Sequence, residues 1–529
     1  MSEAQSILSR VVDLSLKFPE RTAVESSKGN LTYAALVRLA CTLSASIHCY
    51  SRRPFVGIFG HRSAEVYAAI LGTLGAGCAY VPLNPKFPAE RTAAMIADSG
   101  CDTVLVTPES EQAFAKVIGR LQNVTALMLR PNYQLPYIPE TVRVAEVDLQ
   151  EQDDMQAAAC DNDPAYLLFT SGSTGRPKGV PVSWGNLSSY LRYTIQRYEF
   201  THDDRFSQTF DLTFDLSVHD IFTALTSGGT LYCPDERDLY VPTRFIRSKK
   251  LTVWFSVPSV AMIAAQLNLL TPGSLPSLRL SLFCGEPLPA RLAALWQAAA
   301  PSSTVENLYG PTETTIAISS FRWNMGMSPA QYRAGIVPIG RIFPGHESRL
   351  IDQEMKRTGW GEAGELCVSG PQVTAGYLNA PAKTAEKYVK FDDAPGRLYY
   401  RTGDLVREEP NGVLHYVSRV DHQVKISGFR VELQEIEGVL REAVCSDMVV
   451  AVPWPIREGI ISGVVAVMVY RGDLTDEEIV GTCRSRLPSY MVPSRIFRID
   501  ELPLNVNGKI DRSRIATMLD EAYGDRTGA

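Results

Sequence analysis

Residues 166–180 read Tyr166-Leu167-Leu168-Phe169-Thr170-Ser171-Gly172-Ser173-Thr174-Gly175-Arg176-Pro177-Lys178-Gly179-Val180. An apolar, strand-like run stops at Thr170, and a loop rich in Gly, Ser and Thr follows. Such a loop can offer backbone N–H groups, hydroxyls and one lysine to a polyphosphate. No Gly-x-x-x-x-Gly-Lys-[Ser/Thr] frame fits it, so it is not a Walker A loop. On composition alone a solvated turn explains the stretch equally well. Four further segments, in a fixed order downstream, tip the balance.

The rest of the chain narrows the class. At 529 residues it is too long for one core, and two to four domains are expected. Apolar residues make up 45% and charged residues 21%, the profile of a globular protein. A formal charge of −6 leaves no basic surplus for nucleic-acid phosphates. The 10 cysteines are scattered without Cys-x-x-Cys or zinc spacing, so neither a metal cage nor a disulfide framework is expected. A reducing cytoplasm suits them. The N-terminus lacks a basic n-region and a long apolar h-region, and no apolar run reaches the ~18 residues of a membrane span.

Short apolar runs alternate with helical patterns over the first 400 or so residues. Examples are a strand at 55–59 before a helix at 63–74, and a strand at 103–106 before a helix at 112–121. This alternation predicts an α/β fold, with parallel sheets covered by helices. The texture turns to short strands and Gly or Asn turns from Gly364, at 364–368 and 412–417, which suggests a β-rich subdomain. A compact α+β segment follows: strand 422–426, helix 433–443, strands 448–452 and 463–470, helix 476–487. These readings divide the chain into a core, 1–420, and a small lid domain, 421–529.

The second segment is Asn307-Leu308-Tyr309-Gly310-Pro311-Thr312-Glu313-Thr314-Thr315. Its Gly-Pro turn ends a strand-like run, where open α/β sheets bind ligands. Tyr309 offers a face to a purine, and Glu313 a hard oxygen to Mg²⁺. In the third, Tyr400-Arg401-Thr402-Gly403-Asp404, a carboxylate after a turn could accept both ribose hydroxyls, or the triplet is only a turn. The fourth, 419–430, gathers Arg419, Asp421, Lys425, Gly428 and Arg430 at the domain boundary, or is an exposed basic hairpin. The fifth, Asn507-Gly508-Lys509-Ile510-Asp511-Arg512, is a tight turn that could project Lys509.

Together, these five segments resemble the adenylate-forming superfamily of acyl-CoA synthetases, luciferases and peptide-synthetase adenylation domains. The blocks 75–85 and 364–370 agree, and the resemblance runs from about residue 20 to about 515. It implies two steps: a carboxylate attacks the α-phosphate of Mg·ATP, releasing pyrophosphate, and a thiol then takes the acyl group. Two anions must meet, so positioning and charge neutralisation carry the chemistry. By resemblance, Thr170, Ser171, Gly172, Ser173, Thr174, Gly175 and Lys178 hold the phosphates. Thr312 binds the α-phosphate and Glu313 the Mg²⁺. Asn307 and Tyr309 hold adenine, while Asp404 and Arg419 take the ribose. Lys509 bridges the carboxylate and the α-phosphate during adenylation. Asp421 is the hinge that exchanges Lys509 for a face containing Lys425. Where the family has a basic residue before the glycine, this chain has Ser427, so a thiol-transfer contact is lost or supplied by Arg430.

The block 214–222 reads Phe-Asp-Leu-Ser-Val-His-Asp-Ile-Phe. In amino-acid-activating members its aspartate, here Asp215, pairs with the substrate ammonium; a buried carboxylate needs such a cation. A helix N-cap is the plainer role. The remaining pocket positions by resemblance are Leu216, His219, Phe255, Leu282, Cys284, Gly285, Leu308, Ile316 and Ala317, with Lys509 closing the set. This apolar lining predicts a small neutral side chain, L-proline first, then D- or L-alanine or valine, as in stand-alone prolyl- and D-alanine–carrier-protein ligases. With no carrier motif read before Ala529, delivery to a separate phosphopantetheinylated carrier protein is expected. An acyl- or aryl-CoA ligase and an inactive assembly partner are the alternatives.

Overall fold

The computed structural model describes residues 3–130, 132–133, 135–147, 160–172, 177–326, 335–421, 423–503 and 510–523. Ser173, Thr174, Gly175, His422 and Lys509 lie outside them. The chain forms a large N-terminal domain of sheets and helices and a smaller C-terminal domain.

Two helix-covered sheets build the N-terminal domain. One orders its strands Val142–Glu146, Val124–Met128, Thr103–Val106, Phe55–Phe59, Ala79–Leu83, Pro164–Thr170 and Lys178–Ser183. Neighbours are parallel except the last two, which form an antiparallel hairpin. Helices on both faces leave Phe55–Phe59 buried at every position, which is why these strands read as unbroken apolar runs. At the heart of the second sheet, Thr304–Tyr309, Leu280–Phe283, Val253–Ser256, Arg205–Ser207 and Thr230–Tyr232 run parallel. An antiparallel sheet of Glu347–Ile351, Ala363–Ser369, Tyr399–Glu408, Tyr388–Val389 and Leu414–Arg419 supplies the β-rich part.

In the C-terminal domain, Gln423–Ile426 and Phe429–Glu432 form a hairpin, and Val449–Pro453, Val464–Met468 and Ile496–Arg498 a small sheet. The helices Leu433–Val444 and Asp476–Arg486 pack with them around Ile436, Leu440, Ala466 and Ile479. The helix expected at 112–121 is a correction: it breaks into Glu111–Phe114 and a 3-10 turn at Ile118–Arg120. Bonds spanning three residues, such as Val117 N–H to Phe114 O, tighten the chain so that Phe114, Val117, Ile118 and Leu121 are all buried. No helix among the described residues is long and apolar enough to cross a membrane.

Candidate active site

The site lies beyond the carboxyl ends of the central parallel strands, where Val257, Cys284 and Gly310 follow Val253–Ser256, Leu280–Phe283 and Thr304–Tyr309. The 164–183 hairpin brings its loop there, with Thr170 paired in register with Lys178. The Thr170 hydroxyl is buried without a partner. Lys178 is buried with its Nζ 5.1 Å from the Tyr377 ring. Burial, then the neighbouring Arg430 charge, lower its ammonium to about 8.

The Thr304–Tyr309 strand alternates its side chains between two faces. Glu306 is paired with Leu282, which is paired in turn with Phe255, and beyond it Asn307 and Leu308 fall on opposite faces. Asn307 donates to the carbonyls of Val337 (3.3 Å) and Pro338 (2.9 Å), which leaves its side-chain oxygen buried and unpartnered. Gly310 is required: a Cβ there would lie 2.6 Å from Ala317 Cα. Thr312–Thr314 forms a 3-10 turn, and Thr315 and Ile316 follow at φ +58° and +72°, a strained conformation for a β-branched residue. Gln372 braces it by donating to the carbonyls of Thr314, Thr315 and Ala317, while the Thr315 hydroxyl donates to the Gln372 carbonyl. Sequence reasoning missed Gln372 and Tyr377, whose only signal was a polar side chain in an otherwise ordinary loop.

Glu313 is fully buried and accepts from Tyr377 Oη at 2.7 Å and from Arg430 Nη1 at 2.9 Å. Burial alone would raise its carboxyl; Arg430 and Lys178 outweigh that and hold it at about 2. Asp404 sits inside the Tyr399–Glu408 strand, not after a turn; Gly403 (φ +76°) kinks the strand beside Arg419, where a Cβ would meet Arg419 Nη2 at 2.6 Å. Asp404 accepts from Tyr309 Oη at 2.5 Å and from Arg419 Nη1 at 2.6 Å. Arg419 also donates to Asp421 (2.6 and 2.8 Å) and Gln423 (2.8 Å). A cavity of about 330 Å³ opens here, lined among others by Asn307, Tyr309, Asp404, Arg419 and Lys425.

Asp215 precedes the helix Leu216–Ser227, at its N-cap position, but makes no capping bond. It is buried with Oδ2 unpartnered. Burial raises its carboxyl to about 7, against the pull of Thr312, Lys425 and the Ile316 backbone. It faces a cavity of about 40 Å³, bordered also by Leu216, Cys284, Gly285, Thr312 and Lys425. His219, one turn on, is fully buried, its ring 4.8 Å from Phe255 and its Nδ1 2.8 Å from Tyr190 Oη. Burial lowers the imidazole to about 3, so it is neutral. Phe255, Leu282, Leu308, Ile316 and Ala317 are also buried, in the same apolar cluster, but do not border that cavity.

The 423–432 hairpin inserts between these elements. Lys425 Nζ lies 5.9 Å from the Tyr309 ring. Gly428 N–H donates to Glu286 Oε1 at 2.9 Å, and a Cβ at Gly428 (φ +83°) would meet Val257 Cγ1 at 2.3 Å. The Arg430 guanidinium donates to Glu313 and Gln423.

The structure thus gathers Thr170, Lys178, Asp215, Glu313, Asp404, Arg419 and Lys425 around one cleft. The residues present fit a nucleotide and a metal. The Asn307 oxygen and the Thr170 hydroxyl are left open, the one able to accept from an exocyclic amine and the other to meet a phosphate. Glu313, here paired with Arg430 and Tyr377, is a hard anionic oxygen donor. The chain matches the AMP-binding enzyme family over residues 14–378 and the AMP-binding enzyme C-terminal domain over 436–509. A D-alanine--D-alanyl carrier protein ligase from Staphylococcus aureus is 31% identical over 95% of this chain and 96% of that protein. An L-proline--[L-prolyl-carrier protein] ligase from Pseudomonas fluorescens is 32% identical over 95% and 97%. The crystal structure of the Vibrio cholerae adenylation domain AlmE, in complex with glycyl-adenosine-5'-phosphate, shares 34% identity over 98% of each chain, with a TM-score of 0.88.

Proposed function

The chain belongs to the AMP-binding enzyme family, AMP-forming ligases that use ATP with Mg²⁺, and from that premise we propose that it activates a very small neutral amino acid and passes it to the phosphopantetheine thiol of a separate carrier protein. The observation that carries the amino-acid reading is Asp215: a buried carboxylate with an unpartnered oxygen, beside a cavity of about 40 Å³. A substrate ammonium supplies the missing cation. A fatty or aryl acid brings none, which weighs against a CoA ligase.

The size of the cavity ranks the substrates. A cavity of about 40 Å³ is too small for a proline ring or a valine side chain. Glycine and alanine therefore stand ahead of L-proline and valine, and the glycyl-adenylate bound by AlmE supports glycine as the first choice. One observation favours a rival: His219 Nε2 is buried without a partner, and a serine hydroxyl would satisfy it.

In this reading Mg²⁺ offsets phosphate charge as two anions approach. Glu313 holds the metal, and Thr170, Ser171, Gly172, Ser173, Thr174, Gly175 and Lys178 hold the phosphates, with Thr312 on the α-phosphate. Asn307 and Tyr309 bind adenine, Asp404 and Arg419 the ribose, and Asp215 orients the amino acid. Lys509 serves adenylation; rotation about Asp421, the boundary of a 421–529 lid, then presents Lys425 for thiol transfer. All ten cysteines are free, in keeping with a reducing cytoplasm.

Amino-acid-dependent ATP–pyrophosphate exchange tests this directly, with the twenty amino acids, D-alanine, benzoate and octanoate. Exchange with glycine or alanine at least tenfold above proline supports the ranking. Serine in first place shifts it to the His219 reading. Benzoate or octanoate in first place defeats the amino-acid assignment, and no exchange with any acid defeats the enzyme.

A further inference from the structure

The motif 507–512 ends in an arginine that the proposed chemistry does not use. Arg512 opens the helix Arg512–Tyr523, and its side chain reaches into the C-terminal domain. Its Nη2 donates to Glu437 Oε1 at 2.5 Å and its Nε to the Ala451 carbonyl at 3.3 Å. One guanidinium thus ties the helix Leu433–Val444, which carries Glu437, to the strand Val449–Pro453, which carries Ala451.

Glu437 is an unusual choice for its place. Leu433 and Leu440, one helical turn to either side, are core residues, and Glu437 itself is buried. An apolar side chain would serve stability as well or better, because desolvating a carboxylate and a guanidinium offsets most of their attraction. What the pair supplies is direction. Both Glu437 oxygens are engaged: Oε1 also accepts from the Ala451 N–H at 3.1 Å, and Oε2 from Arg441 Nη2 at 3.2 Å. A planar guanidinium that donates to such a carboxylate and to a carbonyl at once is held in one orientation.

The chain around Arg512 is anchored as well. The Asp511 N–H donates to the Pro503 carbonyl at 2.8 Å, and the Asp511 carboxylate accepts from the Arg514 N–H at 3.0 Å, as an N-cap does. Leu502, Ile515 and Leu519 are buried in one cluster. Residues 503 and 511, on either side of Lys509 in the chain, therefore meet at a fixed point of the domain, and Arg512 follows Lys509 by three residues.

We propose that Glu437 and Arg512 are positioning residues for adenylation: their ion pair sets the base of the segment that bears Lys509, and so the place from which that lysine reaches the carboxylate and the α-phosphate. The inference rests on the assignment of adenylation to Lys509. A catalytic group displaced by about 1 Å can lose on the order of 10²-fold in rate, so a loosened base shows in the rate of the first step rather than in binding.

The test separates the half-reactions in single turnover. Adenylation is followed with the amino acid that exchanges fastest in the panel above, and thiol transfer with its preformed adenylate and phosphopantetheine. Glu437→Gln should lower the maximal adenylation rate roughly tenfold, with half-saturation by ATP and amino acid little changed and thiol transfer at the wild-type rate. Arg512→Lys keeps the charge but not the fork, and should lose less. Placed on Lys509→Ala, Glu437→Gln should cost nothing further, because both changes act on one group. A purely structural pair gives equal losses in the two half-reactions and an additive loss on Lys509→Ala; either result overturns the inference. If Glu437→Gln does not fold, Arg512→Lys, alone and on Lys509→Ala, decides by the same criteria. If Lys509→Ala itself leaves adenylation intact, the assignment of Lys509 falls and the inference with it. If Lys509→Ala cuts adenylation while Glu437→Gln and Arg512→Lys leave it at the wild-type rate, only the inference falls.

Discussion

The two halves of the cleft are built on opposite plans. On the side proposed for ribose, Asp404 already has partners, Tyr309 at 2.5 Å and Arg419 at 2.6 Å, in a cavity of about 330 Å³. On the side proposed for the amino acid, Asp215 keeps an unpartnered oxygen, in a space of about 40 Å³. In the first half the charges are paired before any ligand arrives, and the Asn307 oxygen is left for a nucleotide to meet. The second carries an unmet charge that one kind of ligand can meet, and walls that leave little room for a side chain. Discrimination belongs to the unsatisfied half.

The comparison predicts separable effects. The largest expected is from Asp215→Ala. Losing one partner of a buried ion pair costs about 3–5 kcal/mol, so the amino-acid KM should rise by roughly 10²–10⁴-fold. The ATP KM should stay nearly unchanged; if it rises in parallel, the two halves are not independent. Lys509→Ala probes the group proposed to serve both halves by bridging the carboxylate and the α-phosphate. Adenylation should fall roughly 10²–10³-fold, while thiol transfer from a preformed adenylate largely survives. Equal losses in single-turnover measurements of both steps would refute that division.

Acidity sharpens the contrast further. The Asp215 carboxyl stands at about 7 in the free enzyme, and only its ionised form can pair with an ammonium. Protonation increases as pH falls, so kcat/KM for the amino acid should drop about tenfold per unit below pH 7 and level off above it. A profile flat from pH 8 to 5 would show that Asp215 is ionised throughout. The smallest effect is on the satisfied side. Tyr309→Phe removes one neutral-to-charged hydrogen bond to Asp404, so the ATP KM should rise roughly tenfold, with the amino-acid KM unaltered. A change confined to the amino-acid KM would reverse the assignment of Tyr309.

What the sequence revealed follows from how local each signal is. The strands at 103–106 and 55–59 are apolar runs whose periodicity needs no tertiary knowledge, and both appear at the expected residues. Asp404 and Glu313 could be singled out as candidates because short polar motifs punctuate such runs, and Asp215 because its block resembles that of amino-acid-activating relatives. The helix expected at 112–121 failed because an apolar spacing that suits a helix also suits successive tight turns, and burial of Phe114 and Leu121 decided between them. Gln372 was invisible for a different reason: its three acceptors lie more than fifty residues away, so its brace exists only after folding. The small volume of the cavity beside Asp215 was likewise beyond reach, since identities of lining residues do not give the volume left between them.

The alternation along Thr304–Tyr309 has a consequence for how such an enzyme changes over time. Leu308 belongs to one side of the strand, and Asn307 and Tyr309 to the other. A point substitution there leaves the alternation of the strand, and with it the facing of Asn307 and Tyr309, as it was. An insertion or deletion within the strand would turn every side chain to the opposite face. Both recognitions would then fail together. The strand is therefore free to diverge one letter at a time but not in length.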